Sequence, residues 1–240
     1  MNKVKISAVS YTNTFPFLYG IRNSSIVDQI DLSVDYPSAC AQKVISGEVD
    51  LGIIPVGALL DLPAYYIITD YCIGTLGAVD SVFIFSEKPI GEIKSLRLDH
   101  QSRSSNALAR VLLKYHWKQD VQIVTEGEAD AYVLIGDRTF GKKDTVPYVY
   151  DLGYYWKEFT GLPFAFAVWV ANKPLDPTFI ADFNAALKIG VSNPRVVLPE
   201  IPANPKFDFD YYLTSSLDYQ LTTAKRQAID KFLSLVKTLD

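Results

Sequence analysis

The stretch DLSVDYPSACAQKVISGEVDLGIIPV, residues 31–56, predicts a strand, a helix and a second strand in succession. Pro37 stands where a first helical turn accepts proline, and Gly47 stands where a helix ends. The following run, residues 50–56, is almost continuously apolar, as in a strand buried on both faces of a sheet. A strand at KISAVS and a short helix over residues 15–21 precede this stretch. The order β-α-β-α-β predicts a parallel sheet with right-handed crossovers.

A second set of elements follows. Strands are predicted at residues 81–86, 95–100, 121–125, 131–136 and 164–173. Helical spacing is shown by Ala107, Leu108, Val111, Leu112 and Tyr115. Further helices are predicted over residues 151–161, after Asp176-Pro177, and from about Thr222 onward.

The chain contains no Gly/Ser-rich linker, which argues against two domains joined end to end. Two long apolar strands, at 81–86 and 164–171, bracket a self-contained α/β set. We therefore predict an α/β fold of two lobes with a central cleft. Residues 1–82 and 168–240 form the first, discontinuous lobe, and residues 83–167 form the second. The open ends of parallel strands would face the cleft.

Composition restricts the classes of function. The 240 residues carry a net charge of −4, so no broad basic face is available for nucleic acid. No apolar run approaches the roughly 20 residues of a membrane helix, and the N-terminus has no export signal, so we expect a cytoplasmic protein with no membrane partner. Cys40 and Cys72 are expected to be buried thiols. No nucleotide, cofactor or metal motif is present.

Polar side chains at the predicted strand ends are the candidate ligand-binding residues. The string QSRSSN, residues 101–106, opens a helix whose dipole and free N–H groups favour a carboxylate or phosphate. Helix capping alone is the competing interpretation for each serine. Asn13, after the first strand, is either a ligand-binding amide or a turn residue. The candidates are Tyr11, Thr12, Asn13, Ser38, Ser81, Ser102, Arg103, Ser104, Ser105, Asn106 and Phe164. Phe164 is expected to face the cleft, and Phe166 and Trp169 to pack in the core.

Six motifs occur in order: YTNTFPFLYGI, PSACAQKVISGEVDLGIIPV, GAVDSVFIFSEKPI, LDHQSRSSNALARVLL, VLIGDRTF and TGLPFAFAVWVAN. Together they resemble the menaquinone-biosynthesis enzymes of the futalosine route, in particular the chorismate dehydratases. The resemblance extends from Lys3 to about Asn172. It implies a fold like the periplasmic binding proteins of type II, catalysis by Asn13 and Ser81, and a hydroxyl pair at Ser104 and Ser105. It implies no cofactor and no metal.

The resemblance further implies that chorismate, a small dicarboxylate, loses water to give 3-[(1-carboxyvinyl)oxy]benzoate. Since no side chain stands out as the base, we hypothesise that the substrate's own side-chain carboxylate removes the ring proton, with positioning and charge stabilisation supplying most of the rate. Three alternatives remain at this point. One is the 1,4-dihydroxy-6-naphthoate synthase of the same pathway, the second is a non-catalytic carboxylate-binding protein of the same fold, and the third is the effector domain of a transcription regulator.

Overall fold

The computed structural model describes residues 3–239, so residues 1, 2 and 240 of the predicted first lobe lie outside it. Two β-sheets are flanked by helices. The strands are β1 (Val4–Val9), β2 (Ile30–Asp35), β3 (Leu51–Pro55), β4 (Tyr66–Thr75), β5 (Val82–Ser86), β6 (Ser95–Arg97), β7 (Gln122–Val124), β8 (Ala131–Ile135), β9 (Tyr148–Asp151), β10 (Phe164–Ala171) and β11 (Asp218–Gln220). The helices are α1 (Phe15–Arg22), α2 (Pro37–Ser46), α3 (Ser104–Val111), α4 (Leu152–Thr160), α5 (Pro177–Val191), α6 (Phe209–Tyr211) and α7 (Thr223–Val236).

The first sheet has the order β11-β4-β10-β3-β1-β2. β1 pairs in parallel with both β2 and β3, so the β-α-β-α-β prediction is confirmed for the first three strands. The complete sheet is mixed, because β10 runs antiparallel to β3 and to β4. β10 returns from the second half of the molecule instead of following a crossover helix within the first, so nothing obliges it to run parallel.

The second sheet has the order β7-β6-β8-β5-β9. β6 pairs in parallel with β7 and β8, whereas β5 pairs antiparallel with β8 and β9. The chain therefore enters this sheet at Val82. β10 belongs to the first sheet from Phe164 onward. The chain therefore returns to the first sheet a few residues before residue 168, where the second segment of the predicted first lobe begins. The division into a first lobe of residues 1–82 and 168–240 and a second lobe of residues 83–167 stays a prediction.

Helix termini follow the sequence signals closely. The side chain of Asp176 accepts the N–H groups of Thr178 and Phe179, and Thr222 caps α7 through the N–H of Lys225. Gly47 and Gly161 end α2 and α4 with φ angles of 75° and 74°. Because these signals act within one helical turn, they are readable without tertiary information.

Three strands had no predicted counterpart: β4, β9 and β11. β4 spans ten residues, but its first half is partly exposed and contains Asp70, so it shows no continuous apolar run. β9 and β11 have four and three residues and lie at sheet edges. Short edge strands depend on pairing with a neighbour that is distant in the sequence, which local patterns do not reveal.

Helix α7 places a buried charge against β11 of the first sheet. Lys225 is fully buried, and its Nζ donates to the carbonyl oxygens of Asp218 (2.6 Å) and Gln220 (2.9 Å) and pairs with the Asp218 carboxylate. These acceptors compensate for the loss of water around the ammonium group.

Cys40 and Cys72 are free and buried, as predicted. No helix within residues 3–239 is long and apolar enough to span a membrane.

Candidate active site

A cavity of about 60 Å³ lies between the two sheets. This volume is below the range of about 300–1,000 Å³ usual for small-molecule sites, so binding a ring dicarboxylate requires the cavity to widen. Six predicted site residues line it: Tyr11, Asn13, Ser81, Ser102, Ser104 and Ser105. None of the described lining residues has a charged side chain. An anion in this cavity would therefore be held by hydroxyl and amide donors and by the helix dipole.

Asn13 lies in a 3-10 turn, Thr12–Thr14, directly after β1. The Thr14 hydroxyl donates to Asn13 Oδ1 at 3.1 Å, which leaves the Asn13 Nδ2 group as the donor end of the amide. Thr12 donates its N–H and its hydroxyl to the Asp137 carboxylate at 3.0 and 2.9 Å. Burial raises the pKa of Asp137, and the hydrogen bonds from Thr12 lower it. The turn that carries Asn13 is thus tied to the loop after β8.

Ser81 stands at the crossover between the sheets. Its carbonyl oxygen accepts the Gly136 N–H at 2.8 Å, and its hydroxyl accepts the O–H of Tyr212 at 2.9 Å. The preceding residue, Asp80, has a φ of 61°. The Asp151 carboxylate accepts the N–H groups of Val79 and Asp80, at 3.0 and 2.8 Å, and so holds the strained turn in place.

The start of α3 provides the remaining hydroxyls. The Ser102 hydroxyl accepts the N–H of Ser105, the second residue of α3, at 3.1 Å. The Ser104 hydroxyl accepts the N–H of Gly57 at 2.9 Å and donates to the Phe166 carbonyl at 3.1 Å. Among residues 3–239, no group hydrogen-bonds the Ser105 hydroxyl. Ser105 and Ser102 keep a proton to donate to a ligand, whereas Ser104 uses its proton to join the two halves of the molecule.

The aromatic ring of Tyr11 forms one wall of the cavity and rests on Gly136. Gly136 has a φ of 63°, and a Cβ at this position would lie 2.5 Å from the Tyr11 ring. The Tyr11 hydroxyl donates to the side-chain oxygen of Gln101. Burial raises the pKa of Tyr11, while Arg138 lowers it. Only glycine combines this backbone conformation with room for the ring.

Gly136→Ala should lower the free energy of unfolding by about 3 kcal/mol, since strain at positive φ adds to overlap with the Tyr11 ring. Gly127→Ala is the matched control. Gly127 also has a positive φ, 82°, but no atom lies within 4 Å of its added Cβ. The control should therefore lose only about 1 kcal/mol in urea denaturation. Equal losses would show that the contact with Tyr11 is unimportant.

Comparison with known proteins identifies the family. The sequence profile of a family described as menaquinone biosynthesis matches residues 4–238. The chain belongs to this menaquinone biosynthesis family. The resemblance predicted from the six motifs is thereby confirmed.

One relative of this menaquinone biosynthesis protein is a chorismate dehydratase of Campylobacter jejuni, 30% identical over 149 residues. The match covers 59% of this chain and 58% of that enzyme, so the chain spans less than two thirds of the relative's length. A solved structure from Archaeoglobus fulgidus is 14% identical with a TM-score of 0.73, covering 98% of this chain and 97% of that one. A Candida albicans protein described as having the generic periplasmic binding protein fold is 12% identical with a TM-score of 0.57, covering 100% and 89%. These likenesses confirm the predicted fold class.

Four predicted ligand-binding residues of this menaquinone biosynthesis protein do not line the cavity: Thr12, Ser38, Arg103 and Asn106. Thr12 binds Asp137, as described above. The Ser38 hydroxyl donates to the His100 carbonyl oxygen at 3.3 Å, and Arg103 pairs with Asp61. The Asn106 amide bonds the backbone of Asp99 and Ser102. These side chains hold the walls of the cavity together instead of facing its contents.

The expectation that Phe164 faces the cleft is wrong. Phe164 is 1% exposed and packs edge-on against Trp156 and Phe232, whereas Phe166 lines the cavity. The pairing of β10 with β4 shifts register between Ala165 and Ala167, so Phe166 is the extra residue of a bulge. A bulge re-aims side chains away from the regular alternation of a strand, which explains the reversal.

Tyr212 is the residue near the site that the sequence analysis missed. It is 1% exposed and reaches Ser81 from the C-terminal part of the chain, 131 residues away in sequence. Its segment, YLTSS, carries no pattern that indicates a site.

Within the described part of the chain, no cluster of three or more His, Cys, Asp and Glu side chains is arranged to hold a metal ion.

Proposed function

We propose that this chain is a chorismate dehydratase that converts chorismate to 3-[(1-carboxyvinyl)oxy]benzoate and water. The observation that carries the proposal is the convergence of Asn13, Ser81 and Ser105 on one uncharged cavity in a chain of the menaquinone biosynthesis family. The name of the Campylobacter jejuni relative supports the same reaction. Neutral donors suit a ligand with two carboxylates, because they stabilise anionic oxygens without forming a fixed ion pair.

The proposed reaction is an elimination. A base takes the proton from the ring carbon that bears the ether oxygen, and the C–H electron pair forms a ring double bond. The neighbouring C–O bond breaks, and the hydroxyl leaves with a proton as water. The aromatic product makes the reaction favourable. The described cavity lining offers no carboxylate, histidine or lysine as base. We therefore assign proton removal to the substrate's own side-chain carboxylate.

The residues are assigned roles by the protons they can donate. Ser105 and Ser102 would bind the ring carboxylate beside the α3 N-terminus, where negative charge increases as the proton leaves. Asn13 would donate through Nδ2 to the leaving hydroxyl or the ether oxygen. Ser81 would bind the second carboxylate. Ser104 is no longer included as a donor, because its proton is held by the Phe166 carbonyl oxygen.

The direct test is incubation of the purified protein with chorismate, followed by ultraviolet absorption and proton NMR of the product. We expect chorismate to be consumed and a benzoate-type spectrum to appear. Binding of chorismate by calorimetry without turnover would instead indicate a carboxylate-binding protein. Absence of both binding and turnover would contradict the proposal.

Ser105→Ala should lower kcat/KM for chorismate about 10- to 100-fold, because a hydrogen bond to a charged group contributes about 1.5–3 kcal/mol. Ser234→Ala is the control. Ser234 is an exposed serine of α7 whose hydroxyl bonds only the Lys231 carbonyl oxygen, so turnover should not change. An unchanged kcat and KM in Ser105→Ala would remove the α3 start from the proposed site.

A further inference from the structure

A buried phenol lies directly behind the two residues proposed for catalysis. Tyr212 begins the π-helical segment Tyr212–Ser216, and its ring packs against Phe140 and Phe207 with centroid distances of 5.3 Å to each. The ring is therefore immobilised by aromatic neighbours. Its hydroxyl points away from this cluster, toward Ser81.

The direction of the hydrogen bond to Ser81 determines what Ser81 can do. Tyr212 has one hydroxyl proton and donates it to Ser81 Oγ at 2.9 Å. Ser81 then receives a hydrogen bond and retains its own proton. No group in residues 3–239 accepts that proton, and Ser81 lines the cavity. The Ser81 hydroxyl is thus set to donate to a ligand.

The same phenol lies near Asn13, whose side chain is among the groups that lower the pKa of Tyr212. Thr14 occupies the Asn13 Oδ1 atom, so Nδ2 remains as the donor end of the amide beside the cavity. Tyr219 donates to the Asn13 carbonyl oxygen at 3.1 Å and holds the backbone.

Because Tyr212 stays protonated, it remains the donor of the hydrogen bond to Ser81. Burial raises the pKa of Tyr212 far above that of a free tyrosine, and the hydrogen bond to Ser81 and the nearby Asn13 side chain lower it only partly. Nearby Asp137 and Asp80 raise it further. The phenol therefore keeps its proton throughout the neutral and mildly alkaline range.

We propose that Tyr212 is a positioning residue that orients Ser81 as a hydrogen-bond donor toward an anionic oxygen in the cavity. This inference rests on the proposed function, since the oxygen is a carboxylate or leaving-group oxygen of the substrate. Without the phenol hydroxyl, the Ser81 hydroxyl is free to rotate and donate elsewhere. Such donors act most strongly on charge that develops in the transition state.

The test is a double-mutant cycle with Tyr212→Phe and Ser81→Ala. Tyr212→Phe keeps the ring and its packing but removes the proton. We expect kcat to fall about 10- to 100-fold with KM changed less than about threefold. In the Ser81→Ala background, the same change should cost less than about threefold, because residues that act through each other are not additive. An equal loss in both backgrounds would overturn the proposal and indicate a general structural defect.

Tyr150→Phe is the matched control. The Tyr150 hydroxyl accepts the N–H of Ile90, in the segment between β5 and β6, at 2.8 Å, and Tyr150 does not line the cavity. This variant loses one phenolic hydrogen bond of similar length and should keep the wild-type kcat. A comparable fall in kcat for Tyr150→Phe would also contradict the specific role of Tyr212.

The behaviour of the wild-type protein toward chorismate distinguishes a failure of the proposed function from a failure of the positioning role. If it binds chorismate without turnover, the dehydratase proposal fails, and the same four proteins of the cycle are compared by calorimetric Kd for chorismate. The positioning role then predicts that Tyr212→Phe weakens binding in the wild-type background and has little effect after Ser81→Ala. Additive losses in Kd, or no binding by the wild-type protein, would overturn it.

Discussion

Asn13→Asp should lower the turnover of chorismate at least about 100-fold, the effect usual for loss of a donor that stabilises transition-state charge. The replacement has the same shape and keeps an oxygen for the Thr14 hydroxyl. The N–H donor, however, becomes a charged oxygen in a cavity proposed for a dianion. Steady-state kinetics with chorismate measures the effect.

Asn23→Asp is the control for this substitution. Asn23 is an exposed residue after α1 whose amide donates to the Tyr19 carbonyl oxygen. Its replacement by aspartate makes the same change of charge outside the cavity lining. Its turnover should equal that of the wild-type protein. Near-normal turnover in Asn13→Asp would remove Asn13 from the mechanism.

Asp151→Ala should lower the free energy of unfolding by about 3–5 kcal/mol, the largest stability effect that we expect. The Asp151 carboxylate accepts four backbone N–H groups, from Val79, Asp80, Gly153 and Tyr154. It therefore caps α4 and also holds the crossover that ends at Ser81. A buried N–H without an acceptor costs about 1–3 kcal/mol, and a lost helix cap costs about 0.5–2 kcal/mol.

Urea denaturation followed by circular dichroism measures this loss. Burial raises the pKa of Asp151 to about 6, so the comparison is made near pH 8, where the carboxyl is ionised. Asp176→Ala is the matched control, since Asp176 caps α5 through two N–H groups at the surface. It should lose about 1 kcal/mol. A loss in Asp151→Ala no larger than that in the control would show that the crossover does not depend on this carboxylate.

Helix boundaries were the most predictable features of the fold. Pro37, Gly47, Gly161, Asp176 and Thr222 all stand at the ends that their chemistry predicts. The strands buried on both faces, β3 and β10, were equally clear because every residue in them is apolar or small. The direction of β10 was not predictable, because strand direction depends on partners that lie far away in sequence.

The candidate site, like the fold, was predictable from the sequence only in part. The strand-end rule brought Asn13, Ser81 and Ser105 to attention, and the structure places all three around one cavity. The rule did not distinguish Ser105 from Ser104, because the difference lies in bonds to Gly57 and Phe166. It also included Arg103, whose charge is directed at Asp61.

Local chemistry in the chain was sufficient to predict the alternating elements, their ends, the two-lobed class and the family, because caps, apolar runs and ordered motifs are all short-range properties. Which hydroxyls keep a free proton was settled by the folded arrangement. Tyr212, Gly57 and Phe166 reach these serines from distant parts of the chain, and a serine becomes a donor or a structural tie according to the partner it meets.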